Sequence, residues 1–406
     1  MPLYNKPQYY DADNRDFLEQ ESLNINKLIT INNIDSVIEI GCGTGRIILP
    51  LIGKVSNITG IDNNTKMLNT LKSKLSTLPY SKLSKVKLVE KDIRAELNID
   101  KADLVLCSFN FMHHFSKNED WLAIMKNITK MVKPNGFIML DMTINKNKSS
   151  KYKKDIEIPY ENGTLIREQY LLYEDKHQVK KMMLYIERDS QDKVLNKTQL
   201  NITFAKIKWG VLSYSTSING LKVKKVTIGY DGKLPSNKVL VYFEKNKFPY
   251  RLNEIEPSSY PEIIKLSNES GFLPKVTWTE SSSMMMINGL MSSKWKGWGL
   301  FDKEGLLKSY IDFKEHSNGE IEIGFCMTYY NDRGKGLMTH LLSLLILKYF
   351  DRNFSIGTYK SNSSMIHIIK KFSFLVKEVE NDRENGEQSI YYQRESYSEF
   401  IDDLNG

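Results

Sequence analysis

Val37-Ile-Glu-Ile-Gly-Cys-Gly-Thr-Gly-Arg46 is the stretch from which the fold is read. The apolar run Ser36 to Ile40 reads as a buried strand. The glycines at 41, 43 and 45 then force a tight turn into an apolar helix, Ile47 to Ile52. Glycine suits this turn because a Cβ would hold the backbone away from a ligand, and the following helix presents unpaired N–H groups. Taken alone, such a loop could hold a dinucleotide or simply turn the chain.

Working outward, Ile58-Thr-Gly-Ile-Asp62 is a second short strand ending in an acid, where a carboxylate can accept both hydroxyls of a ribose. A third strand, Val86 to Val89, leads to Asp92-Ile93, suited to an adenine edge. A fourth, Ala102 to Ser108, runs into Phe109-Asn-Phe111, and Met131 to Gly136 closes a helix before the strand Phe137 to Asp141. The ordered series resembles the class I S-adenosylmethionine-dependent methyltransferases over residues 9 to 245, its Glu-x-Gly-x-Gly-x-Gly spacing separating it from nicotinamide binders. The resemblance implies a Rossmann-like, doubly wound α/β sheet with S-adenosyl-L-methionine as cofactor. It also implies cofactor contacts from Tyr10, Glu39, Gly41, Cys42, Gly43, Gly45, Asp62, Met67, Asp92, Ile93, Phe109 and Asn110. Tyr10 stands in a Tyr-Tyr-Asp segment similar to the lid of small-molecule methyltransferases, a surface anchor being the plainer alternative. Asn110, His113 and His114 follow the fourth strand and are candidate bases, with a helix start or polar surface as the alternative role.

After Asp141 the pattern changes to consecutive strands, Leu165 to Leu172, Gln178 to Arg188 and Lys197 to Phe204, parted by polar turn signals. Short turns cannot continue a parallel sheet, so these strands are expected as an antiparallel β cap over about residues 150–205, inserted before the last strands of the fold. A helix near Lys206 to Ser217 and strands Lys222 to Ile228 and Lys238 to Glu244 then return to the main sheet, around the turn Gly229-Tyr-Asp-Gly232.

Asn246-Lys-Phe-Pro249 is a polar, proline-marked junction that divides the chain into domains 1–247 and 248–406. Beyond it stand a strand at Tyr250 to Leu252, helices at Tyr260 to Ser270 and Glu280 to Ser293, and strands at Gly297 to Asp302 and Leu306 to Phe313. The alternating strand Glu320 to Thr328 then opens into Arg333-Gly-Lys-Gly336 and a helix Thr339 to Tyr349, the layout of an anion site made of backbone N–H groups. Together with Asn362-Ser-Ser-Met-Ile366 and Lys370-Lys-Phe-Ser-Phe374, this half resembles the GNAT superfamily of N-acetyltransferases, a mixed α+β fold. The resemblance implies that Arg333, Gly334, Lys335, Gly336 and Asn362 bind acetyl-CoA. Met338 departs from the small residue expected there, and Ile369 replaces the tyrosine that protonates the leaving thiolate, which leaves Tyr359, Ser363 or Ser364 as donors. Glu322 and Glu320 are candidate bases, with a solvated strand face as the plainer alternative.

A chain of 406 residues with 41% hydrophobic composition is long enough for two cores. No apolar run approaches the roughly 20 residues of a membrane span, and the amino terminus lacks a signal layout, so a cytoplasmic protein without a membrane partner is expected. The three cysteines, Cys42, Cys107 and Cys326, have no metal-ligand spacing and read as packing residues; no metal is expected. The net charge of +8 reads as that of a lysine-rich protein. Against nucleic acid as partner, Phe109-Asn-Phe-Met112 stands where base-modifying methyltransferases carry an Asn/Asp-Pro-Pro-Tyr motif. The function expected is bifunctional: methylation of a small-molecule amine and N-acetylation using acetyl-CoA. The alternatives are a methyltransferase with a non-catalytic acyl-CoA-binding module, or an enzyme modifying RNA or protein.

Overall fold

The structure is a computed structural model that describes residues 2–14, 18–144, 152–161, 163–229, 237–245, 249–269, 280–381 and 388–401. The chain opens with α1 (Pro7–Asp13) and α2 (Leu18–Ile31). Strands and helices then alternate: β1 (Ser36–Ile40), α3 (Ile48–Leu51), β2 (Asn57–Asp62), α4 (Thr65–Leu75), α5 (Tyr80–Leu83), β3 (Val86–Glu90), β4 (Ala102–Cys107), α6 (Asn118–Met131) and β5 (Val132–Thr143). The helix after the glycine turn is shorter than expected, because Ile52 already adopts an extended conformation.

β1 pairs in parallel with both β2 and β4, β2 with β3, and β4 with β5. Strand order therefore reverses at β1, and a ligand crevice opens at the carboxyl ends of β1 and β4. All five residues of β1 are buried, as a strand covered on both faces requires. One core cluster joins Val37, Leu104 and Leu106 to Ile25 of α2 and to Leu68 and Leu71 of α4.

The cap is a four-stranded antiparallel sheet in chain order, β6 (Tyr152–Tyr160), β7 (Gly163–Glu174), β8 (Gln178–Asp189) and β9 (Val194–Ala205). Three strands were expected. The additional one, β6, begins in a run of lysines that masks its alternation, part of which (145–151) lies outside the described residues. There follow α7 (Trp209–Ile218), β10 (Leu221–Ile228) and β11 (Lys238–Lys245); β11 pairs antiparallel with β5. The expected Gly229 turn beyond Gly229 itself, and the junction 246–248, lie outside the described residues.

The later part contains β12 (Arg251–Glu254), α8 (Tyr260–Glu269), α9 (Glu280–Met291), β13 (Lys296–Phe301), β14 (Leu307–Glu315), β15 (Ile321–Thr328), α10 (Leu337–Lys348), β16 (Phe354–Tyr359), α11 (Ser363–Lys371), β17 (Leu375–Asn381), β18 (Gln388–Arg394) and β19 (Phe400–Ile401). Seven strands form one sheet in the order β12-β13-β14-β15-β16-β18-β17. Every neighbouring pair is antiparallel except β15 and β16, which run parallel. That parallel pairing stops at Ile323 and Ile356, although β15 continues to Thr328 and β16 to Tyr359, so the two strands part.

Two compact units result: Met1–Lys208 with Ile228–Lys245, and Trp209–Thr227 with Asn246–Gly406. Residues 209–227, expected inside 1–247, group with the second unit. There the Ser213 hydroxyl donates to the Leu344 carbonyl of α10 at 2.7 Å, Trp209 lies 4.8 Å from Phe350, and β10 pairs antiparallel with β19. Among the described residues no helix is long and apolar enough to cross a membrane.

Candidate functional sites

In the first unit the glycine turn is held from below by β2. Gly41 and Cys42 donate their N–H groups to the Ile61 carbonyl, at 2.8 and 3.1 Å, and Gly43 donates to Asp62 Oδ2 at 2.8 Å. These donors tie the turn to the sheet. All three glycines have positive φ. Their missing side chains are filled by the protein itself: a Cβ would collide with Phe111 at Gly41 and with Leu71 at Gly45, and would press on Met67 Cε at 3.2 Å at Gly43. Met67 thus packs against the turn. The Cys42 side chain belongs to the core cluster, so only its backbone faces the loop.

Asp62 sits half-buried at the end of β2, its second oxygen accepting from Asn64 N–H at 2.8 Å; burial raises its pKa. Asp92 does not stand free for an adenine edge. Arg94 takes its carboxylate through the backbone N–H at 2.9 Å and Nη2 at 2.6 Å, and these bonds hold its pKa below the usual range. Ile93 is buried, its carbonyl accepting from Asn127 Nδ2 at 2.7 Å.

Phe109 and Asn110, directly after β4, both have positive φ. Backbone strain of this kind in two consecutive non-glycine residues is costly, and it turns the Phe109 ring into a charged surrounding. Arg46 Cζ lies 4.2 Å and Lys238 Nζ 4.9 Å from that ring. Arg46 is paired with Glu21 of α2, Lys238 with Asp141 at 2.8 Å, and all four side chains are at most 7% exposed. Asn110 Oδ1 accepts from Thr143 Oγ1 at 2.6 Å and from Lys238 Nζ at 3.2 Å, a structural position rather than that of a base. Glu39 is buried, accepts from Ser108 Oγ at 2.9 Å through one oxygen, and has its pKa pushed up to about 8 by burial. Glu21, Arg46, Asp141 and Lys238 had no signal in the sequence, because each acquires its role from a partner far away along the chain.

The two histidines separate sharply. His113 has both ring nitrogens engaged by backbone: Nδ1 with the Ala205 carbonyl at 2.6 Å, and Nε2 accepting from Thr143 N–H at 2.9 Å. It joins the end of β9 to β5 and has no nitrogen left for a substrate, which corrects its assignment as a base. His114 has Nε2 on the Tyr4 hydroxyl at 2.7 Å, while Nδ1 is buried without a partner. Burial lowers both rings to about 4, so both are neutral at pH 7.

Helix α1 lies over this site. Asp11 accepts from Thr44 Oγ1 at 2.5 Å and pairs with Lys74 at 2.6 Å. Asp13 pairs with Arg167 of the cap and accepts from the Tyr185 hydroxyl at 2.9 Å. Tyr9 stacks on Tyr185 at 5.3 Å. Tyr10, expected as a surface anchor or lid residue, meets the Phe109 ring edge-on at 6.3 Å, and burial raises its pKa to about 12. The helix therefore ties the glycine turn to the cap.

In the second unit Gly334 and Gly336 have positive φ, and a Cβ at either would meet nothing within 4 Å. Gly336 is the residue before α10, so an open loop leads into a helix start. Lys335 pairs with Asp332 at 2.5 Å, and Arg333 lies 5.4 Å from the Tyr330 ring. Asn362 caps α11, accepting from Met365 N–H at 3.2 Å. Glu322 is tied to His316 at 2.7 Å and lies 4.0 Å from Lys314 on a half-exposed face, an ion pair rather than a free base. Tyr359 ends β16, and Ile369 is fully buried. Sequence reasoning missed Asp312: a buried carboxylate that accepts from the Tyr310 hydroxyl at 2.9 Å and from Phe325 N–H at 2.6 Å, with its pKa raised by burial to about 7. It faces the point on β15 where pairing with β16 ends. Among the described residues no cluster of histidine, cysteine or acidic side chains could hold a metal. Burial raises the thiols of Cys42, Cys107 and Cys326 well above their usual range, as packing residues require.

A reversed parallel sheet with a glycine turn after its first strand and an acid at the end of its second is the layout of a doubly wound nucleotide-binding fold. Residues 37–136 match the family described as "Methyltransferase domain". The chain is similar to YqeM of Bacillus subtilis (strain 168), which carries a provisional methyltransferase assignment. Identity is 24% over 107 residues, 26% of this chain and 41% of that protein, so the chain spans about two fifths of the curated relative it matches. Among solved structures it is similar to the S-adenosylmethionine-bound amino pentose methyltransferase CalS10 of Micromonospora echinaspora, at 15% identity and TM-score 0.50, over 59% of this chain and 97% of that one. A methyltransferase of Clostridium acetobutylicum aligns at 20% identity and TM-score 0.49, over 60% and 99%. At such identities the likeness is one of fold.

Proposed function

We propose that the chain is a bifunctional small-molecule transferase, a methyltransferase acting on an amine joined to an acetyl-CoA-dependent N-acetyltransferase. The observation that carries the first half is the pair of carboxylates at the ends of β1 and β2. Asp62 stands half-buried beside Gly43, and Glu39 has a buried oxygen, Oε2, without a partner. These residues fit a nucleoside cofactor with a charged tail, Asp62 holding the ribose. When bound, S-adenosylmethionine supplies an electrophilic methyl group on a sulfonium.

The chain's own residues then position the acceptor. Tyr4, Tyr10, Phe109 and Phe204 form a run of aromatic contacts around His114, a setting that excludes water from an amine nucleophile. With Nε2–H donating to Tyr4, His114 Nδ1 is the free acceptor. A ring whose pKa has fallen to about 4 is a weak base, so His114 aligns the amine by accepting its N–H rather than by storing its proton. The acceptor class put first is an amino sugar, the class named for the Micromonospora relative.

Acyl transfer by the second unit is supported by the parting of β15 from β16 beside an open glycine loop at a helix start. Gly324 to Thr328 extend about 16 Å along β15 without pairing to β16, an edge along which the amide groups of a pantetheine arm can bond. The loop Arg333 to Gly336 receives the pyrophosphate there. Asp312 takes the place of Glu322 as the carboxylate suited to accept a proton from an amine. A second reading, a binding module without turnover, is favoured by Ile369, which brings an apolar buried side chain to the donor position.

Incubating the protein with labelled S-adenosylmethionine, acetyl-CoA and a panel of amino sugars, amino acid esters and peptides, followed by mass spectrometry, tests the whole reading. Methylated and acetylated amines are expected. Methyl transfer only to hydroxyl acceptors would defeat the amine assignment. Acetyl-CoA should raise the melting temperature and Gly334→Glu should remove that shift; a shift without transfer points to the binding module.

A further inference from the structure

β17 closes one edge of the seven-stranded sheet, so one row of its backbone N–H and C=O groups has no partner strand among the described residues. All seven residues of the strand are exposed. In the ladder with β18, Val376 stands opposite Tyr392 and Val379 opposite Ile390, which puts both valines on the face that carries Tyr392. Tyr392 is covered there, at 3% exposed, whereas Val376 and Val379, one strand further out, are 57% and 51% exposed. Leu375, opposite Gln393 on the other face, is 73% exposed. Sheet edges are ordinarily blunted by charge or by a covering helix, yet β17 presents apolar side chains on both faces. Its one lysine, Lys377, is followed by Glu378, and neither makes an ion pair among the described residues.

We propose that β17 is a self-pairing edge, which adds antiparallel to β17 of a second copy of this chain across a two-fold axis lying between Lys377 and Glu378. The order of side chains along the strand selects that register. Lys377 then stands opposite Glu378 of the second copy, and because a two-fold contact is isologous the same pair forms twice. Val376 meets Val379 on the Tyr392 face, and Leu375 meets Glu380 on the other, so the side chains of each pair share a face. A slip of one residue either way sets Lys377 against Lys377 or Glu378 against Glu378, like charges at the centre of the contact. Lys377 is also the extra residue of a bulge between Val376 and Glu378. A bulge increases local twist and misfits a regular partner strand, but a second copy carries the same twist at the same place.

Sedimentation equilibrium of the full chain over about 1 to 100 µM tests the pairing, since a contact of this size associates in the micromolar range. The average mass should rise from 47.1 kDa toward twice that value with concentration. Val379→Lys, which enters the contact twice, should hold the chain monomeric throughout. Lys377→Glu should weaken association by roughly tenfold or more, and adding Glu378→Lys should restore it to within about threefold of the parent, because the exchanged pair is again complementary. These side chains are exposed, so all variants should melt with the parent; if Val379→Lys does not fold, the charge exchange carries the test. Backbone hydrogen exchange in β17 should slow with rising concentration in the parent and not in Lys377→Glu. A chain that stays monomeric at the highest concentration overturns the proposal. So does an assembly untouched by every variant, or a loss in Lys377→Glu that Glu378→Lys does not restore.

Discussion

The two glycine loops of this chain have similar sequence signatures and opposite surroundings. At Gly41, Gly43 and Gly45 the space of the missing side chains is filled by Phe111, Met67 and Leu71, and the N–H groups of the turn bond to Ile61 and Asp62. At Gly334 and Gly336 nothing lies within 4 Å of where a Cβ would stand. The first set of glycines therefore serves the packing of its own sheet and helices as much as any ligand. The second is free for a ligand to fill. A glycine-rich loop thus reports that a side chain is excluded, and only the neighbours reveal what excludes it.

The contrast is broken or sharpened by substitution. The largest effect is expected for Gly45→Val, which adds a collision with Leu71 to a left-handed backbone. Overpacking and the φ penalty together cost on the order of 3 to 5 kcal/mol, enough to unfold the first unit in a denaturant melt. A melt like that of the parent protein would show that α4 yields easily. Next comes Asp62→Ala, expected to weaken S-adenosylhomocysteine binding by about 1.5 to 3 kcal/mol through lost charge-assisted hydrogen bonds. Unchanged affinity by calorimetry in a folded variant would remove Asp62 from the site.

Acid should act on the first unit through His113 and His114, whose pKa values fall from 6.5 to about 4 on burial. Their lowered values mean that the neutral rings contribute stability present above pH 6.5 and lost as pH falls toward 4. The melting temperature of the first unit should drop over that window, and His113→Gln should shrink the drop; an identical pH profile in the variant would argue against the backbone clamp. The smallest effect is expected for Gly334→Ala, about 1 to 2 kcal/mol from positive φ alone, with no packing term. A loss as large as that of Gly45→Val would show that the second loop is not open.

Much of the architecture was legible from local pattern. The strands from Ser36 to Asp141 and from Gly297 to Thr328 fall close to their apolar patterns, continuous where both faces are buried, as in β1, and alternating where one face is, as at the start of β15. β6 was not legible, since lysines interrupt it, and the grouping of residues 209–227 with the second unit was not either, because it depends on Ser213, Trp209 and β19 meeting partners from distant sequence.

Residue type and spacing alone were enough to put Gly41 and Gly43 in a tight turn, Asp62 at a strand end and Arg333 to Gly336 in the loop before a helix, since each is a property of a few consecutive residues. Tertiary contacts decided the rest. They separated His113 from His114, engaged Asp92 with Arg94 and Glu322 with His316, and brought Glu21, Arg46, Asp141 and Lys238 together around Phe109. The physical reason is that the ionisation and bonding of a polar side chain follow from its burial and its partners, and no local pattern marks those partners, whether near in sequence, as Arg94 is to Asp92, or far from it, as Lys238 is from Asp141.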